Sequence, residues 1–200
     1  MPYPLTVAIL AGGQSSRMGT DKAFLRLRPD GPTIIETVLA GVAGLGEETI
    51  LITNRPEDYA HLGLPMFSDV LPGRGALGGL YTALHSATRP HALCLACDMP
   101  FVVRPLLDYL IGLIPEGDAI IPRLGGEAEP FRAVYARACL GPMRTALDAG
   151  KMRVISFFPD VRVRFVDEAE IDLHDPRRLS FFNVNTPADL DAARRLQEGT

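Results

Sequence analysis

The stretch Thr6-Val7-Ala8-Ile9-Leu10-Ala11-Gly12-Gly13-Gln14-Ser15-Ser16-Arg17-Met18-Gly19-Thr20-Asp21-Lys22 decides the fold. Thr6–Leu10 is a short apolar run, as expected of a strand covered on both sheet faces. It passes directly into small residues, then an arginine, then a lysine. Glycines let backbone N–H groups approach a ligand closely and form an anion-binding nest. Arg17 and Lys22 add two cations to the same loop, and the whole suits a triphosphate. The spacing fits neither G-x-x-x-x-G-K-[ST] nor G-x-G-x-x-G.

Working outward, apolar strands alternate with helical patterns, which predicts an α/β fold with a mainly parallel sheet. A helix is expected over Thr33–Leu45, with Thr33 and Glu36 as a capping box. Further strands are expected at Thr49–Thr53, Pro65–Ser68 and His91–Cys97. Pro72–Gly79 reads as a second glycine-rich loop, followed by a helix over Leu80–Ala87. Pro105–Leu113 and Arg137–Ala149 read as helices. Ala119–Pro122, Pro130–Tyr135 and Arg162–Val166 read as strands, with a charged loop at Arg123–Glu129. The last helix begins at Thr186-Pro187, with Thr186 as N-cap. The region Arg123–Arg164 reads as an elaboration on the core sheet. No repeat or linker interrupts the chain, so one domain over residues 1–200 is the expectation.

Two hundred residues can bury a sizeable core without disulfides. A net charge of −4 argues against a general nucleic-acid or membrane-surface binder. No apolar run is long enough to span a membrane, and MPYPLTVAIL lacks the basic start of an export signal. Cys94, Cys97 and Cys139 are odd in number, so a reduced, cytoplasmic chain is expected. Cys94 and Cys97 form C-x-x-C, but on a strand they face opposite sides and suit core packing rather than a metal. His61, His85, His91 and His174 have no ligand spacing. Only two of the 20 basic residues are lysines, Lys22 and Lys151.

The opening motif, Leu10-Ala11-Gly12-Gly13 with Arg17-Met18-Gly19 and Asp21-Lys22, resembles that of nucleotidyltransferases that activate small molecules with a nucleoside triphosphate. Within them it looks most like the molybdenum cofactor guanylyltransferase family. Later segments recur in the family's order. They are Asn54-Arg55, Asp69 followed by Gly73–Gly79, Cys97-Asp98-Met99-Pro100, Glu129-Pro130-Phe131 and Asn183-Val184-Asn185-Thr186-Pro187. Ala76 stands where the family has proline.

This resemblance implies a three-layer Rossmann-like nucleotidyltransferase fold. It also implies GMP transfer from GTP to molybdopterin with Mg²⁺, in the cytoplasm, with molybdoenzyme maturation proteins as further partners. Arg17, Lys22 and Asp98 would be catalytic, and Asp98 would hold the metal. Leu10, Ala11, Gly12, Gly13, Lys22, Asn54, Asp69, Gly78 and Asp98 would bind nucleotide, with Asp69 facing guanine. Asn183 and Asn185, two apart on one strand face, would meet the acceptor; as residues alone they fit a helix cap equally well. Lys151 and Arg153 resemble a basic segment at the substrate edge. A cytidylyltransferase for the same cofactor and a non-catalytic nucleotide-binding maturation partner are the rival readings. Gly12 and Gly78-Gly79 favour guanine.

Overall fold

The computed structural model describes residues 3–11 and 22–198. Gly12, Gly13 and Arg17 lie outside the described residues. Strand β1 (Tyr3–Leu10) is central, and the chain then builds outward from it. Helix α1 (Ile34–Val42) leads to β2 (Gly46–Ile52), and the short helix α2 (Pro56–Tyr59) leads to β3 (Met66–Phe67). Helix α3 (Gly75–Ser86) precedes β4 (His91–Ala96), and α4 (Arg104–Gly112) precedes β5 (Ala119–Leu124). A hairpin partner β6 (Glu127–Ala128) and β7 (Arg132–Ala136) follow, then α5 (Leu140–Asp148). Strand β8 (Val163–Val166), α6 (Glu168–His174) and α7 (Pro187–Glu198) complete the order.

The sheet runs β3-β2-β1-β4-β7-β5-β6, with β8 on β5. The half containing β3, β2, β1 and β4 is parallel, and β8 is parallel to β5. Strand β7 is antiparallel to both β4 and β5. The region 123–164 is therefore more than an elaboration. It supplies β7, which is inserted between β4 and β5 within the main sheet. The expected charged loop is mostly the β5–β6 hairpin, whose turn uses Gly125 and Gly126.

Period-two alternation sorts the side chains into two cores. Val7, Ile9, Leu51, Leu93 and Leu95 face α1, α4, α6 and α7. Ala8, Ile50, Ile52, Ala92 and Cys94 face α3 and α5. Both faces are covered, which explains why β1 and β4 read as continuous apolar runs. Helix α1 forms because Ile34, Ile35, Val38 and Val42 fall on one buried stripe behind the Thr33–Glu36 capping box. Truncating one such buried isoleucine to alanine costs about 2–5 kcal/mol.

Two expectations shift. Helix α3 begins at Gly75, five residues before Leu80, because Leu77 and Gly78 are already buried in the α3 face of the core. Asn183-Val184-Asn185 forms no strand. It is an irregular segment tied to the neighbouring loop, as described below. The final helix starts as expected: Thr186 Oγ1 accepts from the Asp189 N–H, and Asp189 accepts from the N–H groups of Asn185 and Thr186.

Candidate active site

The sheet order places β2 and β3 on one side of β1 and β4 on the other. Open α/β sheets bind ligands at such a switch point, outside the carboxyl ends of the strands. Here that crevice is bounded by Leu10-Ala11 after β1 and Cys97-Asp98 after β4. The Cys97 N–H donates to the Leu10 carbonyl at 3.1 Å, and the Ala11 N–H donates to the Ile52 carbonyl at 2.9 Å. Three strand ends are thereby held together at the rim.

One wall of the crevice carries Asn54 and Asp69. Asn54 follows β2 and Asp69 follows β3. They hold each other reciprocally: Asn54 Nδ2 donates to Asp69 Oδ2 at 2.8 Å, and the Asp69 N–H donates to Asn54 Oδ1 at 2.9 Å. The Val70 N–H donates to Thr82 Oγ1, whose own proton goes to the Gly78 carbonyl on α3. The loop between Asp69 and α3 is thus pinned to the helix it precedes. Gly73 and Gly75 take left-handed conformations (φ 72° and 59°), which side-chain-bearing residues rarely adopt. At Gly79 a Cβ would sit 3.5 Å from Leu10 Cδ2 and 4.0 Å from Asp69 Oδ1, in ordinary contact, so this glycine lies between the two. Met152, between Lys151 and Arg153, approaches Gly75, which sets that basic segment beside the same loop.

The opposite wall carries Asp98, Lys22 and the Asn183–Asn185 segment. Asp98 is half-buried. Burial pushes its carboxyl above the ordinary range, against the Lys22 ammonium, its own backbone N–H and the Arg132 guanidinium. Lys22 Nζ donates to Asn185 Oδ1 at 2.8 Å. Asn183 Nδ2 donates weakly to the Phe181 carbonyl at 3.3 Å. The Val184 N–H donates to the Asp98 carbonyl at 2.9 Å, so the irregular segment leans directly on the Asp98 loop. Lys22, Asp98 and Asn185 therefore meet at one edge, while Asn54 and Asp69 stand at the other with Gly79 beside them; Gly78 is buried against Arg74 and Leu71.

Arg132 belongs to this edge although no sequence motif marks it. Its side chain is fully buried beneath the Asp98 loop and bonds to the Met99 and Ser180 carbonyls. Burial lowers its pKa to about 10, while Asp175, Asp98 and Glu129 hold it charged. The available signal was a lone charge inside the apolar run Phe131-Arg132-Ala133-Val134. Glu129 is half-buried, and burial pushes its carboxyl up against the pull of Arg132. Cys94 and Cys139 are buried free thiols, and burial raises the Cys139 thiol to about 12. Such thiols pack rather than react.

Residues 7–163 match the family model described as a MobA-like NTP transferase domain. A protein from Pelotomaculum thermopropionicum is 36% identical over 195 residues, covering 98% of this chain and 94% of its own length. The chain belongs to the MobA-like NTP transferase family. That relative bears the name probable molybdenum cofactor guanylyltransferase. A molybdenum cofactor guanylyltransferase from Desulfosudis oleivorans is 35% identical over 191 residues, covering 94% of each chain. The crystal structure of molybdopterin-guanine dinucleotide biosynthesis protein A from Archaeoglobus fulgidus superposes with a TM-score of 0.83. It is 27% identical, with 98% of this chain and 100% of that one covered. The chain is thus a nucleotidyltransferase of the MobA-like type.

Proposed function

We propose that the protein transfers GMP from GTP to molybdopterin, releasing pyrophosphate and forming molybdopterin guanine dinucleotide. The observation that carries this reading is the pair of polar clusters at the carboxyl ends of β2, β3 and β4. Asn54 and Asp69 form one and Asp98, Lys22 and Asn185 the other, within a chain of this family. We read residues 1–200 as one nucleotidyltransferase domain. The reading extends to Mg²⁺ as the metal, the cytoplasm as the compartment and molybdoenzyme maturation proteins as recipients of the product. Among the described residues no helix is long and apolar enough to cross a membrane.

The donor set fits a hard cation held mainly by substrate. Among the described residues no group of three or more His, Cys, Asp or Glu side chains could hold a metal ion. The half-buried Asp98 carboxylate, with two cations near it, would supply one oxygen. Mg²⁺ ordinarily takes one or two carboxylates together with phosphate oxygens and water. When bound, it would neutralise charge on the transferring phosphate.

The chain's own residues supply position and charge. The nucleophile is the terminal phosphate of molybdopterin, already an anion, so no general base is required. Its oxygen forms a bond to the α-phosphorus of GTP as the bond to the pyrophosphate oxygen breaks. On this reading Asp69 accepts from guanine N1–H and the 2-amino group, a donor pair that cytosine and adenine lack. Asn54 fixes the carboxylate plane for that contact. Leu10, Ala11 and the glycines Gly12 and Gly13 let the nucleotide lie close to the backbone. Arg17 and Lys22 offset charge that develops on the phosphates. Asn183 and Asn185 offer amides to the acceptor, and Lys22 exchanges Asn185 for phosphate when substrate arrives.

The test is incubation with Mg-GTP and molybdopterin, followed by mass analysis. Stoichiometric dinucleotide and pyrophosphate are expected. A parallel thermal-shift series should show greater stabilisation by Mg-GTP than by Mg-CTP at equal concentration. Greater stabilisation by CTP would transfer the assignment to a cytidylyltransferase. Tight GTP binding with no pyrophosphate released would leave a binding partner instead of an enzyme.

A further inference from the structure

Arg132 sits in β7 among apolar neighbours and is fully enclosed. Burying a guanidinium costs several kcal/mol unless its donors are well used. Its Nε donates to the Ser180 carbonyl at 3.0 Å, and its Nη2 donates to the Met99 carbonyl at 3.2 Å. Nη1 has no hydrogen-bond partner among the described residues. The two carbonyls belong to segments far apart in sequence, and neither lies in a strand or an α-helix. Met99 follows Asp98. Ser180 lies in the 3-10 turn Leu179–Phe181, which leads directly to Asn183 and Asn185.

Other bonds hold the same turn from the far side. The buried Asp175 carboxylate accepts from the Leu179 and Ser180 N–H groups. Arg178 enters the turn in a left-handed conformation (φ 51°) and is ion-paired with Glu168 and Asp172. Beyond the turn, the Val184 N–H closes back on the Asp98 carbonyl. The circuit therefore runs from Asp98 through Met99, Arg132, Ser180 and Val184 and returns to Asp98.

We propose that Arg132 is a positioning residue. It fastens the Asp98 loop to the Ser180–Asn185 segment, so that the phosphate-side carboxylate and the acceptor-side amides keep one spacing. This rests on the functional reading above for what the two edges bind. Filling space would not require an arginine, because a hydrophobic side chain of similar length often replaces a buried charge without loss of stability. A planar guanidinium adds directed donors that reach two separate backbone segments at once.

The test compares wild type with Arg132→Met and Arg132→Lys in three measurements. These are amide hydrogen exchange over residues 97–100 and 179–185, Mn²⁺ binding to the GTP complex by paramagnetic resonance, and kcat and KM for molybdopterin. Arg132→Met is expected to bind metal-free GTP within about twofold of wild type, since the Asn54–Asp69 wall is untouched. Exchange in both segments should rise together, and Mn²⁺ affinity should fall about tenfold. KM for molybdopterin should rise and kcat should fall, together costing about 100-fold, the order expected for a misplacement near 1 Å. Arg132→Lys keeps the charge without the fork and should recover part of this loss.

Unchanged exchange together with unchanged kcat and KM in Arg132→Met would reduce Arg132 to packing. If that variant does not fold, Arg132→Lys decides by the same criteria. A wild-type protein that makes no dinucleotide would overturn the functional reading alone. The exchange and Mn²⁺ measurements would still decide whether Arg132 clamps the two segments.

Discussion

The two walls of the crevice are built on different physical plans. The Asn54–Asp69 wall is local. Its paired residues are 15 apart in sequence, lie on neighbouring strand ends and hold each other through a side-chain amide with Asn54 exposed. The Asp98 wall is assembled from distant parts of the chain, with partners 33, 48 and 163 residues apart. There a carboxylate is partly stripped of water and set between a lysine and a buried arginine. Recognising a base edge needs directed donors and acceptors, which an exposed amide–carboxylate pair can present. On the proposed function, handling phosphate charge needs an environment of low dielectric and fixed geometry, which the distant contacts would supply.

The largest test of this contrast is Asp98→Asn. Dinucleotide formation should fall about 1,000-fold, measured by pyrophosphate release. The same change should not lower the melting temperature at pH 7. The folded pKa of Asp98 is raised, so above its unfolded value the folded state holds an unfavourable charge and stability falls as pH rises through that interval. Asparagine removes the penalty, and its stability advantage over wild type should shrink as the pH is lowered. A variant that melts far lower at pH 7 would assign Asp98 to the fold.

Lys22→Ala should cost about 100-fold in turnover. Lys22→Arg should stay impaired, because a broad guanidinium does not replace a compact ammonium among phosphate oxygens. Near-normal turnover in Lys22→Arg would break the assigned role. On the other wall, Asp69→Asn should leave saturated turnover within about twofold. It should cut the preference for GTP over CTP by at least about tenfold, the cost of one charge-assisted hydrogen bond. A large fall in kcat with preference intact would reverse the division of labour.

The smallest effect on function is expected far from both walls. The Arg164 guanidinium, which bonds to Glu170, holds that carboxyl down at about 2. A lowered carboxylate contributes stability above its unfolded pKa and loses it as pH falls through the folded value. Glu170→Gln should therefore cost about 1–2 kcal/mol at pH 7 after allowing for solvent screening. The difference from wild type should vanish between about pH 4.5 and 2, with turnover unchanged. Urea titration across that range measures it.

The local wall was legible in the sequence and much of the distant wall was not. Asn54 and Asp69 follow apolar runs that declare themselves as strands, so their place at strand ends is read directly. Asp98, just after β4, is legible for the same reason, and Lys22 from its charge at the end of the glycine-rich stretch. The contacts around them are not. Arg132 looks like a solvent-facing charge, because periodicity cannot report what lies above a strand. Asn183 and Asn185 were expected on a strand face. Backbone donation from Val184 to Asp98 holds them instead, and no side-chain pattern encodes it. The early start of α3 was hidden because Gly75, Gly78 and Gly79 are poor helix formers. Asp167 and Glu170 form the capping box that opens α6, a pattern present in the sequence itself.

The bond from Lys22 to Asn185 also bears on how the molecule comes into being. A chain emerges from the ribosome N-terminus first and begins to fold as it does so. Lys22 is made 163 residues before its partner Asn185. Strands β1, β2 and β3 with α3 can assemble the Asn54–Asp69 wall while the Asn183–Asn185 segment is still unmade. On the proposed function, a nascent chain acquires its grip on the nucleotide before it has an edge to receive the acceptor. On that reading, transfer waits for the Asn183–Asn185 segment.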